Sequence, residues 1–227
     1  MTKLKTLIFC FALICTTFLY AQNINGKVIY TASYIKKETK NPTNAALIKS
    51  AKDVNLELLF TPTVSLFKGV NFMKSDLDKG INLTSIFSGF ENQFYNNLET
   101  KEFLKRTIGP DNEPYLVQED NGLYKWTITN ESKQIGKYKC FKAILNNNNT
   151  KFPTSAWFTP ELPVGFGPRE YQGLPGVILL LENPHIVFTA TKVSINSKEN
   201  ALEIEKPEGI LITAEAYKEK FGGIFKD

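Results

Sequence analysis

Histidine is almost absent from this chain: His185 is the only one in 227 residues. Cysteine is nearly as scarce, and two of the three, Cys10 and Cys15, lie in the first apolar stretch. With one histidine and one cysteine beyond that stretch, no His/Cys metal cluster can be assembled, and neither HExxH nor CxxC occurs. No metal site and no cofactor are therefore expected. Cys140 has no partner for an intrachain disulfide. GxSxG is missing too, which removes the common serine-hydrolase signature. Charge of either sign is not in excess. The formal net charge is +4, and it nears neutrality once Lys3 and Lys5 are set aside. A nucleic-acid partner is accordingly not expected. No second long apolar run follows the first, so no integral membrane protein is expected after processing.

What is there begins with an export signal. Lys3 and Lys5 form the positive flank, Leu7 to Leu19 the apolar stretch, and Ala21 the small residue before a cut. Residues 1–21 are expected to leave, with Gln22 as the new terminus, and residues 22–227 to form one domain in the periplasm or outside the cell. Neither Cys10 nor Cys15 follows a small residue, so a lipid anchor is not expected.

Most of the remainder reads as strands. In Lys27 to Ile35, Val28, Tyr30 and Ala32 share one face. In Asn55 to Leu66, Leu56, Leu58 and Phe60 share another, until Pro62 forces an edge or a bend. Residues 70 to 92 read as a loop rich in large apolar groups, and Gln93 to Lys105 as a strand pair around a turn. Lys125 to Leu145 reads as a hairpin whose turn spans Asn130 to Gly136. Val177 to Leu181 and Ile186 to Ile195 form another hairpin. Thr213 to Phe221 is the best helix, with Thr213 as cap and Gly222-Gly223 beyond it. The predicted fold is mainly β: a curved antiparallel sheet, half-barrel or sandwich, with a short C-terminal helix.

The densest stretch is Trp157 to Leu181, WFTPELPVGFGPREYQGLPGVILLL. Leu174-Pro175-Gly176-Val177 fits a type II turn, with Pro175 fixing φ and Gly176 accepting a positive one. Gly173 is expected to permit a close backbone approach. Gly173, Leu174, Pro175 and Gly176 thus read as a structural turn feeding a buried strand. Aromatic residues outside clean strand patterns include Phe72, Phe87, Phe90, Phe94, Tyr95, Phe166 and Tyr171. Of these, Phe166, Tyr171, Phe87 and Phe90 are the candidate ligand-binding residues.

Catalytic candidates are few, and no residue is assigned a catalytic role. Cys140 sits mid-strand, where nothing lowers a thiol pKa, so a Cys140–His185 dyad is not expected. His185, after Pro184, reads as a solvated turn residue. Glu161, Glu170 and Glu182 lie near the glycine-rich block, and Arg169 with Glu170 reads as a solvated ion pair.

Gly173 to Ile178, GLPGVI, resembles the motif of the GLPGLI family of Bacteroidetes envelope proteins, with Val177 in place of leucine. Trp126 to Ala143 and Ala156 to Leu179 are similar to two longer blocks of that family. The family's activity is unassigned, so the resemblance carries over no catalytic residue. It implies an exported β protein whose shape is similar to the curved sheets of lipoprotein carriers. Three readings of function follow. The first is a non-enzymatic envelope protein binding a peptide, lipid or partner protein, through an apolar groove between the glycine-rich block and residues 70 to 95. The second is a carboxylate-based hydrolase, with two carboxylates converging in a cleft. The third is a structural or assembly factor beside an outer-membrane transporter.

Overall fold

The computed structural model describes residues 24–70, 80–119, 124–146, 153–196 and 202–222. The expected signal at 1–21, Phe72 and Gly223 lie outside them. Among the described residues there are twelve strands: β1 Asn25–Tyr34, β2 Val54–Phe60, β3 Val64–Gly69, β4 Gln93–Asn97, β5 Glu102–Ile108, β6 Pro114–Gln118, β7 Trp126–Ile135, β8 Tyr138–Leu145, β9 Ser155–Thr159, β10 Val177–Glu182, β11 Ile186–Asn196 and β12 Ile210–Thr213. The helices are α1 Pro42–Ser50, α2 Leu83–Ser88 and α3 Ala214–Phe221.

All twelve strands belong to one sheet, ordered β12-β6-β5-β4-β3-β2-β1-β11-β10-β9-β8-β7. It has two ends, β12 and β7, and so is not closed into a barrel. Two antiparallel meanders make it up, β1 to β6 and β7 to β11. They join where β1 pairs with β11. Only β12 is parallel to its neighbour, running beside β6.

The alternation read from sequence sets the core. Val28, Tyr30, Ala32, Leu56, Leu58 and Phe60 are buried on one face, with Phe67, Phe188 and Leu181 from neighbouring strands. Each of the buried Val, Leu and Phe side chains contributes about 1.5–3 kcal/mol relative to exposure. The sheet bends towards this face. Tyr30 lies on β1, yet its hydroxyl donates to the Ile178 carbonyl at 2.6 Å, two strands away across β11. A flat sheet would hold those strands about 10 Å apart. The Ile178 carbonyl is available because β10 pairs with β11 only from Leu180 onward.

On the other face Leu66, Tyr95, Leu104 and Leu116 form a second cluster, joined by Ile204. At the β6 end, α3 packs Phe221 and Tyr217 against Tyr115 and Val117. Thr213 caps α3 as predicted, its hydroxyl accepting from the Ala216 N–H at 3.1 Å. Gly222, in contrast, stays right-handed at φ −64°.

Several expectations need correction. Residues 83–88, read as loop, are α2. Asn82 caps it by accepting from the Thr84 N–H, and Gly89 ends it at φ 70°. Residues 42–50, not predicted, are α1, started by Asn41 as cap and Pro42 in the first turn. In the β7–β8 hairpin the turn is tighter than predicted. β7 runs to Ile135 and the chain reverses at Gly136, φ 56°. A register shift between Ile128 and Ser132 takes up the extra residues. Pro62 marks a bend, the turn between β2 and β3.

Candidate functional site

Between β9 and β10 the chain doubles back on itself. Gly173 N–H donates to Gly165 O at 2.9 Å, Val177 N–H to Leu162 O at 3.0 Å and Ile178 N–H to Phe166 O at 3.1 Å. Two of its four prolines, Pro163 and Pro175, make tighter turns, where a type II turn was predicted at Pro175. Val164 N–H donates to Leu162 O at 2.8 Å and Gly176 N–H to Leu174 O at 2.8 Å. These i to i+2 bonds centre γ-turns on Pro163 and Pro175, whose fixed φ suits the inverse γ geometry.

The two glycines exchange their predicted roles. Gly173 takes the positive φ, +90°, with open space around it, whereas Gly176 meets a close approach. A Cβ at Gly176 would lie 2.1 Å from the Thr159 carbonyl oxygen. Leu162, Val164, Phe166 and Leu174 pin the ribbon to the core. Phe166 is 1% exposed, so its candidacy as a ligand-facing ring is corrected. It is a core residue, fixed by the backbone bonds on either side.

The ribbon's tip, residues 167–172, is held differently. Arg169 adopts φ 54°, a left-handed backbone that costs a side-chain-bearing residue about 1–2 kcal/mol. Its Nη1 donates to Phe87 O at 3.0 Å, and its guanidinium lies 5.5 Å from the centre of the Phe94 ring. Its Nε is 2.9 Å from Glu170 Oε2. Both atoms are out of solvent and lack hydrogen-bond alignment, so the contact is an ion pair only. Expected to be solvated, the pair is half-buried.

This tip faces β4 and β5 across a cleft of about 470 Å³. The floor carries Phe94, Asn96, Phe103 and Lys105. Glu119, Tyr124, Arg169, Glu170 and Gln172 complete the walls. Lys105 pairs with Glu119 at 3.2 Å, and Asn96 donates to Ser65 Oγ at 3.1 Å. Gln172 is fixed through its main chain, whose carbonyl accepts from Trp126 Nε1 at 2.9 Å. Its side-chain Oε1 is out of solvent with no hydrogen-bond partner. Burial, and next the charge of Glu170, push the Tyr124 phenol well above its ordinary pKa. At neutral pH it is a neutral O–H.

The other candidates lie around this cleft rather than in it. Tyr171, partly buried, packs on Tyr124 with ring centres 5.4 Å apart. Burial and then Glu170 raise its pKa as well. Phe87 and Phe90 are partly buried against the core. Phe87 also stacks on exposed His185 at 4.6 Å. Of the three carboxylates named from sequence, only Glu170 lines the cleft. Glu161 extends the sheet ladder by accepting from the Lys139 N–H at 2.9 Å, and Glu182 is exposed at the end of β10. Cys140 is wholly buried. Burial foremost, with the Glu161 charge, pushes its thiol pKa up to about 11. Sequence reasoning missed Asn96, Phe103, Lys105, Glu119, Tyr124 and Gln172. These come from separated segments, and no local spacing marks them as a group. The cleft, with charged and amide groups beside its rings, is not the apolar groove expected against residues 70 to 95.

Residues 145–180 match a family described as "Protein of unknown function (Porph_ging)". No curated protein sequence matches the chain. Among solved structures, the chain is similar to PNGF-II in a C2 crystal form, with TM-score 0.58 and 17% identity over 86% of this chain and 32% of PNGF-II. The P21 form gives TM-score 0.58 and 18% identity over 87% and 33%. At that identity the likeness is one of fold, and the chain spans about a third of PNGF-II.

Proposed function

We propose that this is an exported, GLPGLI-type protein of the cell envelope, and that the cleft under the ribbon tip is its recognition site. The carrying observation is the convergence of Asn96, Phe103, Lys105, Glu119, Tyr124, Arg169, Glu170 and Gln172 around about 470 Å³. That size is ordinary for a small-ligand site. Two carboxylates and two cations suit a polar ligand. An acyl chain would have to desolvate them for nothing in return. Of the partners read from sequence, a peptide or a partner's polar segment therefore fits better than a lipid. The family resemblance supports export, and GLPGVI falls inside the matched residues 145–180.

A second reading is a carboxylate-based hydrolase using Glu119 and Glu170. Both line the same cleft, and the fold likeness to PNGF-II favours this reading more than it favours a pure binding protein. Against it, each carboxylate has a cation beside it, which suits a charged ligand-holding group better than a general acid.

The test is calorimetric titration of residues 22–227 with panels of peptides, saccharides and lipids, beside Phe103→Ala, Glu119→Gln and Glu170→Gln. Binding weakened about tenfold or more by these changes is expected. Binding indifferent to all three would remove the cleft as the site. Turnover by the wild type that both glutamine variants lose would transfer the conclusion to the hydrolase.

A further inference from the structure

Away from the ribbon-tip cleft, we infer that a notch beside β11 docks a partner protein, taking an acidic, extended segment of it as an added strand of the sheet. Backbone, charge and shape each lead there.

The backbone comes first. β11 pairs with β1 from Ile186 to Asn196, apart from bulged Thr191. On its other side it pairs with β10 only as far as Thr189, opposite Leu180. Among the described residues, no backbone bond from a turn or loop reaches 190–196. In an antiparallel strand, N–H and C=O groups point alternately to the two sides. The second half of β11 therefore holds out one side of its ladder with no strand beside it among the described residues. An open ladder of this kind is a template for an incoming strand.

Charge comes second. The notch, about 170 Å³, opens between residues 190–193 of β11 and the β7–β8 turn at 135–138. Fully buried Leu179 completes its lining. Its charged groups are Lys137 and Lys192, and among the described residues no acid lines it. Both lysines are exposed, and neither forms an ion pair among the described residues. Lys137 lies over the Tyr138 ring, 5.3 Å from its centre. Lys192 is level with Ile29 on β1 and Glu57 on β2. Glu57 already sits between Lys27 at 3.8 Å and Lys68 at 3.6 Å. A carboxylate entering the notch meets two cations and no competing acid in the lining.

Shape comes third. Small-molecule sites usually enclose about 300 Å³ or more. The notch is smaller and suits part of a longer chain. Ala190 and Val193 lie level with Tyr30 and Val28 and pack on the core, whereas Lys192 lies level with Ile29 on the opposite face. An added strand alternates in the same way. Its inward residues are apolar and its outward ones acidic.

The experiment titrates the protein with a peptide of alternating valine and glutamate, its valine–lysine counterpart, a fully N-methylated valine–glutamate peptide, and dextran sulfate. The valine–glutamate peptide should bind, and bind less as salt rises. It should slow hydrogen exchange in residues 190–196 and leave the ribbon tip, 167–173, unchanged. Lys137→Gln with Lys192→Gln should weaken it about tenfold, and the N-methylated peptide, which has no backbone donors, should not bind. Lys137→Glu with Lys192→Glu should take the valine–lysine peptide instead, a gain that an unfolded variant could not show. Phe103→Ala, in the ribbon-tip cleft, should change none of this. N-methylated peptide bound as tightly as its parent would overturn the added strand. Dextran sulfate bound through the same lysines, with no peptide bound, would overturn the protein partner. Peptide binding indifferent to both pairs of lysine substitutions, or no binding at all, would overturn the site.

Discussion

At the scale of single residues, the two glycines of the GLPG turn illustrate how one residue type answers two different demands. Gly173 is needed for its backbone angle and Gly176 for its missing side chain. Gly173→Ala adds a Cβ in open space but in a strained conformation, and should destabilise by about 1–2 kcal/mol. Gly176→Ala drives a methyl into the Thr159 carbonyl, a backbone atom that cannot rotate away. It should destabilise by about 3 kcal/mol or more. Urea midpoints of the two variants check the order, and a larger loss for Gly173→Ala would reverse the assignment. The sequence suggested that both glycines mattered. It could not say which role fell to which, because a γ-turn and a type II turn both accept Pro-Gly, and only the bond from Gly176 N–H to Leu174 O separates them.

At the scale of elements, α3 is held to the sheet by a titratable contact as well as by Phe221. Asp111 accepts from the Tyr115 hydroxyl at 2.6 Å and from Lys220 Nζ at 3.1 Å. Lys220 also donates to the Tyr115 hydroxyl. The Tyr115 bond, more than Lys220, holds the Asp111 carboxyl below its ordinary pKa. The bond to Tyr115 and then that to Asp111 raise Lys220 above its own. A lowered carboxyl stabilises the folded state above its unfolded pKa of about 3.9, and this is lost as pH falls through the folded value. A raised amine stabilises below about 10.4, and this is lost as pH rises through its folded value. Docking of α3 should therefore be firmest between those limits and loosen on either side. Fluorescence of a probe on α3, followed against pH, checks this. Asp111→Asn should remove the acid limb, and an unchanged acid limb would show that another group is responsible. The helix itself was legible from Thr213 and the spacing of Tyr217 and Phe221. The other two helices were not: α1 buries no side chain, so no apolar period marks it, and α2, six residues long, is too short for a period to repeat.

At the scale of the whole molecule, the sheet joins two meanders and the ribbon tip adds a further tie between them. Arg169 comes from the second meander, and the Phe87 carbonyl it binds lies in the first. Arg169→Ala should remove that tie, a charged hydrogen bond contributing about 1.5–3 kcal/mol, and keep the backbone strain. Arg169→Gly removes both and should be more stable than Arg169→Ala by about 1 kcal/mol. Either change should loosen the cleft. Hydrogen exchange in residues 83–90 and 167–173 should rise in both variants. Equal stability of the two would mean that φ 54° carries no strain.

The sequence by itself determined the β class, the pairing of neighbouring strands and much of the core. It also marked the ribbon as a structural turn. These follow from alternation, turn residues and chain proximity, all of which act over a few positions. Tertiary structure decided the rest. It bent the sheet until Tyr30 reached Ile178 and turned Phe166 inward. It also placed a cleft between the ribbon tip and the face of β4 and β5. The cleft residues are brought together from strand, loop and ribbon only when residues distant in the chain pack against each other. A site assembled by sheet curvature has no period in the sequence, because the distances that define it run across strands and not along them.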